Sequence, residues 1–167
     1  MGMESENIKK IRIGWFTFTC CEDSTILFTE LLNDHFFEWK KYFEFVHFKV
    51  LQTNNSWAPM DVAFVEGAIT SDSQREKLLK IRSLSKKLIA IGACAVTGQP
   101  SGQRNTFDEK TKKEIEPVML RLKYSPTVQR LNEVITVDDF VPGCPMDEKK
   151  FLTLVNELID KQKTESN

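Results

Sequence analysis

Three stretches of this chain are almost wholly apolar, and segments with helical spacing lie between them. Ile11 to Phe18 has no breaker after Gly14 and is rich in β-branched and aromatic side chains. Val62 to Val65 and Leu88 to Ile91 are uniformly apolar, and Phe43 to Leu51 alternates in part. A strand that is apolar on both faces has to be covered on both faces, which points to a parallel sheet between layers of helix.

The intervening segments supply those helices. Asp23 or Ser24 can cap one whose apolar residues are Ile26, Leu27, Leu31 and Leu32. Ser71 or Asp72 can cap a second, with Leu78, Leu79, Ile81 and Leu84 facing inward. A charged helical stretch leads through Pro117 to Tyr124, and Val134 to Val137 reads as a short last strand. Asp147 then caps a helix running to about Lys161, with Phe151, Leu152, Leu154, Val155, Leu158 and Ile159 on its apolar face. The alternation predicts an α/β fold: a mostly parallel sheet with helices on both faces. No repeat or linker interrupts it, so residues 1–167 are read as one domain with 1–9 and 162–167 flexible.

The totals exclude more than they assign. A net charge of -1 gives no global field for nucleic acid, so no nucleic-acid partner is expected. Lys110, Lys112 and Lys113 cluster, but Asp108, Glu109, Glu114 and Glu116 surround them, as on a solvated helix face. No apolar run approaches the roughly 20 residues of a membrane span. Met1 to Lys10 is polar and charged rather than an apolar signal stretch. A cytoplasmic location is expected, where the four cysteines are thiolates rather than a disulfide framework.

Those cysteines fall at telling places. Cys20 and Cys21 follow the first strand, Cys94 follows the fourth and Cys144 follows the last. Ligands of an open parallel sheet sit outside the carboxyl ends of its strands. All four thiols are therefore placed at one edge. Four thiolates can hold a cubane iron–sulfur cluster or a zinc ion. Zinc sites favour two close pairs, whereas here only Cys20 and Cys21 are close. Cys94 and Cys144 each lie near glycine, which lets backbone approach a bulky cluster. The bland alternative is four structural core cysteines.

Three motifs together carry a resemblance. Cys20-Cys21 after a first strand, Gly92-Ala93-Cys94-Ala95 after a middle one, and Pro142-Gly143-Cys144-Pro145 before a final helix resemble the nickel–iron hydrogenase small subunit. That superfamily also contains the 20-kDa subunit of respiratory complex I. The resemblance runs from about Ile11 to Ile159. Val65-Glu66-Gly67, Ala90 to Gly98 and Gly102 to Asn105 are most similar to cytosolic, cofactor-reducing hydrogenases. It implies a flavodoxin-like domain with one proximal 4Fe-4S cluster on Cys20, Cys21, Cys94 and Cys144. It also implies a large-subunit partner holding the nickel–iron centre, where hydrogen is activated, and further flavin or iron–sulfur subunits that receive the electrons. Two departures stand out. Phe18 occupies the first position of the usual C-x-x-C, so the adjacent cysteines follow the complex I pattern, and Met146 replaces a second proline. Two alternatives remain at this stage: a complex I-like subunit passing electrons to quinone, or a cluster-free flavodoxin-like interaction module.

Other candidates have weaker signals. Glu22 and Glu66 flank the presumed site and could tune it, though a loop carboxylate capping backbone amides is the simpler reading. Arg104 could meet a partner's carboxylate or merely sit on the surface. His35 and His47 have no ligand-like spacing and are read as structural or exposed. The dense aromatics Phe36, Phe37, Trp39, Tyr42, Phe43, Phe45 and Phe48 are read mainly as core. G-x-G-x-x-G is absent, so no dinucleotide turn is expected.

Overall fold

The computed structural model describes residues 9–165. Strands β1 (Ile11–Thr17), β2 (Phe43–Phe48), β3 (Met60–Glu66), β4 (Ser85–Ile91) and β5 (Asp139–Val141) form one sheet in the order β2-β1-β3-β4-β5. Every neighbouring pair is parallel. Helices α1 (Asp23–Tyr42), α2 (Asp72–Leu84), α3 (Gly92–Thr97), α4 (Glu109–Arg121) and α5 (Glu148–Glu165) connect and follow the strands.

The strand side chains alternate between two cores, as their period of two requires. Ile13, Trp15, Val62, Phe64, Ile89 and Ile91 meet Phe28, Leu31 and Trp39 of α1 and Phe151, Leu154 and Val155 of α5. Phe16, Ala63, Val65, Leu88 and Ala90 meet Leu78 and Ile81 of α2 and Ala95 of α3 on the other face. Both faces are thus apolar and covered, which is why these strands read as unbroken hydrophobic runs. The centre of the first core is aromatic: Trp15 stacks on Phe28 at 4.4 Å, and Phe151 meets both edge-on. Full burial of one such ring stabilises by roughly 1.5–3 kcal/mol relative to leaving it in water.

Four expectations change. Val134 to Val137 is not a strand. The amides of Val134 and Ile135 both donate to Leu131 O at 3.0 Å, which keeps the segment coiled, and the ladder to β4 begins only where Ile89 pairs with Asp139. The apolar residues there plug the second core instead. Leu79 is 47% exposed, because α2 points Leu78 and Ile81 at the sheet and the next position lies about 100° around the helix. Of the dense aromatics, Trp39, Phe43 and Phe48 are core, but Phe36 and Phe37 lie on the surface. Finally, α5 runs on through Glu165, beyond the end expected at about Lys161, and Gln162 Nε2 donates to Lys9 O at 2.6 Å. Residues 1–8 and 166–167 lie outside the described residues. Among the described residues no helix is long and apolar enough to cross a membrane.

Candidate metal centre at the carboxyl edge of the sheet

The site is built by the loops that leave β1, β4 and β5. Beyond Thr17, Phe18 N still donates to Glu66 O, and Thr19 exchanges two backbone bonds with Ala68. The chain then turns at Glu22, which adopts φ 65, and enters α1. The chain already bends at Cys20, and Cys20 and Cys21 both line the same cleft despite their adjacency. Beyond Ile91, Gly92 at φ 79 starts α3 and points Cys94 back at the first loop. A Cβ on Gly92 would lie 2.9 Å from Ser24 Oγ. Beyond Val141, Gly143 at φ 112 turns the chain tightly, and a Cβ there would lie 2.5 Å from Pro145 O. Both glycines therefore combine a left-handed backbone with a close approach that other residues would disturb. Ala93 N donates to Gly143 O at 2.7 Å and locks the Cys94 loop to the Cys144 loop.

Cys20, Cys21, Cys94 and Cys144 all line one cleft, together with Asp23, Ser24, Glu66, Gly92 and Gly143. Cys94 is buried, Cys20 is half-buried, and Cys21 and Cys144 are exposed at the rim. The tightest grouping among the described residues is Cys21 Sγ, Cys144 Sγ and a carboxylate oxygen of Asp23, all within 4.8 Å of one another. Burial, then the Glu66 carboxylate, pushes the Cys20 thiol far above its ordinary range, and the sulfurs of Cys94 and Cys21 add to this. Cys21 is drawn down by the Asp23 amide, but partial burial, the Asp23 carboxylate and Cys144 outweigh that and leave it raised. A lone thiolate is disfavoured here, so the arrangement suits bound positive charge. Four soft sulfur donors from three loops fit an iron–sulfur cluster better than a hard cation.

Glu66 explains how the first loop is held. It is buried, and its Oε1 accepts from Ser24 N at 3.1 Å while its Oε2 accepts from Thr25 N at 3.1 Å and Thr25 Oγ1 at 2.6 Å. The expected cap on α1, Asp23 or Ser24, is thus replaced by a carboxylate from β3. It satisfies amides at the positive end of the helix. Thr25 Oγ1 in turn accepts from Trp15 Nε1 at 2.8 Å, joining the site to the aromatic core. Ser24 Oγ accepts from Met146 N at 3.2 Å, tying α1 to the Cys144 loop.

The remaining candidates disperse. Glu22 lines a separate cleft with His47 and Trp57 rather than the cysteine cleft. Arg104 Nη2 donates to Ser125 O at 2.8 Å, and its guanidinium lies over the Tyr124 ring, so it orders the loop after α4. His47 is buried against Phe16, and His35 stacks on Trp39. Sequence reasoning missed Ser101, whose Oγ lies 3.2 Å from Cys94 Sγ and 3.0 Å from Thr19 O. Its only signal was a place in the loop of glycine, proline and serine shortly after Cys94.

Comparison with known proteins decides the family. Residues 20–158 match the model for the NADH ubiquinone oxidoreductase, 20 Kd subunit. The chain belongs to that family. Among members and relatives, the delta subunit of sulfhydrogenase 2 from Pyrococcus furiosus is 29% identical over 152 residues, covering 87% of this chain and 61% of that one. The delta subunit of the NAD-reducing hydrogenase HoxS from Cupriavidus necator is 28% identical over 115 residues, covering 59% of this chain and 55% of that one. The chain thus spans little more than half the length of these two relatives. Among solved structures, a chain of an NAD+-reducing [NiFe]-hydrogenase in the H2-reduced state superposes with a TM-score of 0.77 at 21% identity, covering 91% of this chain and 93% of that one. At that identity the superposition speaks for the shared fold alone, a flavodoxin-like parallel sheet.

Proposed function

We propose that the chain is the electron-transfer small subunit of a cytoplasmic nickel–iron hydrogenase and that Cys20, Cys21, Cys94 and Cys144 hold one proximal 4Fe-4S cluster. The observation that carries this is the gathering of four sulfurs, from the ends of three different strands, into a single cleft. The hydrogenase names of the relatives favour this over transfer to quinone. When bound, such a cluster accepts and passes on one electron at a time.

The chain's own residues would prepare that site in distinct ways. Cys94 and Cys20 anchor its inner side, where burial excludes water. Cys21 and Cys144 close its outer side at the rim, facing the surface that a large subunit with a nickel–iron centre would cover. Glu66 holds the first turn of α1, and so the approach of Cys20 and Cys21, without offering the site a ligand of its own. A flavin or iron–sulfur subunit would take the electrons onward.

Anaerobic purification with co-purifying partners tests the reading. Iron and acid-labile sulfide should each come to about four per chain. Replacing Cys20 or Cys21 singly by serine should abolish or alter the electron paramagnetic resonance of the reduced cluster. A variant with full iron and an unchanged signal removes that cysteine from the ligand set. Iron near zero with stoichiometric zinc overturns the reading altogether.

A further inference from the structure

We infer that the Ser101 hydroxyl is a rotating hydrogen-bond donor that turns from Thr19 O to Cys94 Sγ when Cys94 becomes a ligand, and that it thereby raises the reduction potential of the bound cluster. This rests on the proposed cluster. The geometry is a shared donor: Ser101 Oγ is 3.0 Å from Thr19 O and 3.2 Å from Cys94 Sγ. A hydroxyl carries one hydrogen and points it where the acceptor is stronger. With Cys94 a free thiol, the S–H can donate to Ser101 Oγ and the O–H can donate to the Thr19 carbonyl. With Cys94 bound to iron the S–H proton is gone, and an anionic sulfur attracts the O–H more strongly than a neutral carbonyl does.

The turn leaves nothing stranded. Thr19 O also accepts from Ala68 N at 2.9 Å, so it keeps a partner after Ser101 leaves it. The loop that carries Ser101 is held by its own backbone. Gly98 N donates to Cys94 O, Gly102 N to Gly98 O, and Gln103 N to Pro100 O. The hydroxyl is therefore delivered to the most buried of the four sulfurs by a loop that is already folded. Reduction adds one electron and hence negative charge to the cluster and its sulfurs. A donor aimed at one of those sulfurs stabilises the reduced form more than the oxidised form.

The test compares wild type, Ser101→Ala and Ser101→Thr in the anaerobically purified full chain with whatever partners accompany it. Iron content is measured first, and the midpoint potential is then obtained by dithionite titration followed by electron paramagnetic resonance. The alanine variant should keep its iron and show a more negative potential. An order-of-magnitude shift in the reduction equilibrium, about 59 mV for one electron, is the size to look for. The threonine variant, which keeps the hydroxyl, should return to the wild-type value. Loss of the cluster in the alanine variant alone counts against the inference, since the hydroxyl then serves to hold the cluster rather than to set its potential. An alanine variant with full iron and the wild-type potential overturns the inference, as does joint loss of the cluster in both variants, since the position then serves only the packing of the loop. Wild type without iron instead overturns the proposed function, so the two failures are distinct.

Discussion

The carboxylate of Glu66 sits where a helix has amides to satisfy and no side chain of its own to do it. Three donors converge on its two oxygens, and the group is sealed from water. Glu66→Gln keeps the shape but turns an NH2 toward those donors. It should lower the stability of the chain by about 1–3 kcal/mol, the range for a buried donor left without its partner. Urea unfolding monitored by circular dichroism measures this. His47 carries a different kind of cost. It is buried, its Nδ1 has no partner, and burial holds its pKa below the ordinary 6.5. The folded state therefore takes up this proton less readily than the unfolded state does. Stability should fall as the pH drops through 6.5 toward the depressed value. His47→Phe should remove that share of the pH dependence, as read from urea midpoints measured between pH 7.5 and 5, and an unchanged slope would count against it.

At the scale of elements, α5 and α4 are opposites. Phe151 of α5 is fully buried among Trp15, Phe28, Trp39 and Phe64, and Phe151→Ala should cost about 3–5 kcal/mol. Leu120 of α4 is 71% exposed on a helix without a buried residue, and Leu120→Ala should stay within about 0.5 kcal/mol. Chemical denaturation of the two variants checks the contrast. The same difference explains what was legible in the sequence. Long apolar strands and the face of α5 advertise themselves, because burial on both sides or along one stripe sets their period. Asp139–Val141 did not, because a three-residue edge strand leaves almost no pattern and the more apolar Val134 to Val137 drew the assignment. The cysteine edge could be inferred from strand ends and amide capping was the simpler reading of Glu66, but which amides it meets, and the contacts of Ser101, could not be assigned. Those contacts join residues far apart in the chain or depend on where a loop folds back.

Across the whole molecule, the thiols sit on the segments that follow the first, fourth and fifth strands, so their positions in the chain lie far apart although their sulfurs share one cleft. Anything that bonds to them all is also a cross-link. While it stays attached, the unfolded chain remains tied into long closed loops and gives up much of its freedom. For a covalent tie across about 100 residues that freedom is of order 4–5 kcal/mol. If the proposed cluster is that cross-link, a loaded chain should unfold at higher urea and with a smaller dependence on denaturant than the same chain treated with an iron chelator, because its unfolded state is less expanded. Equal midpoints and slopes would mean that the sulfurs do not hold the chain together. Where the sulfurs do hold the chain together, damage at the exposed rim is felt as loosening in β2 and α2 as well, neither of which lines the cleft.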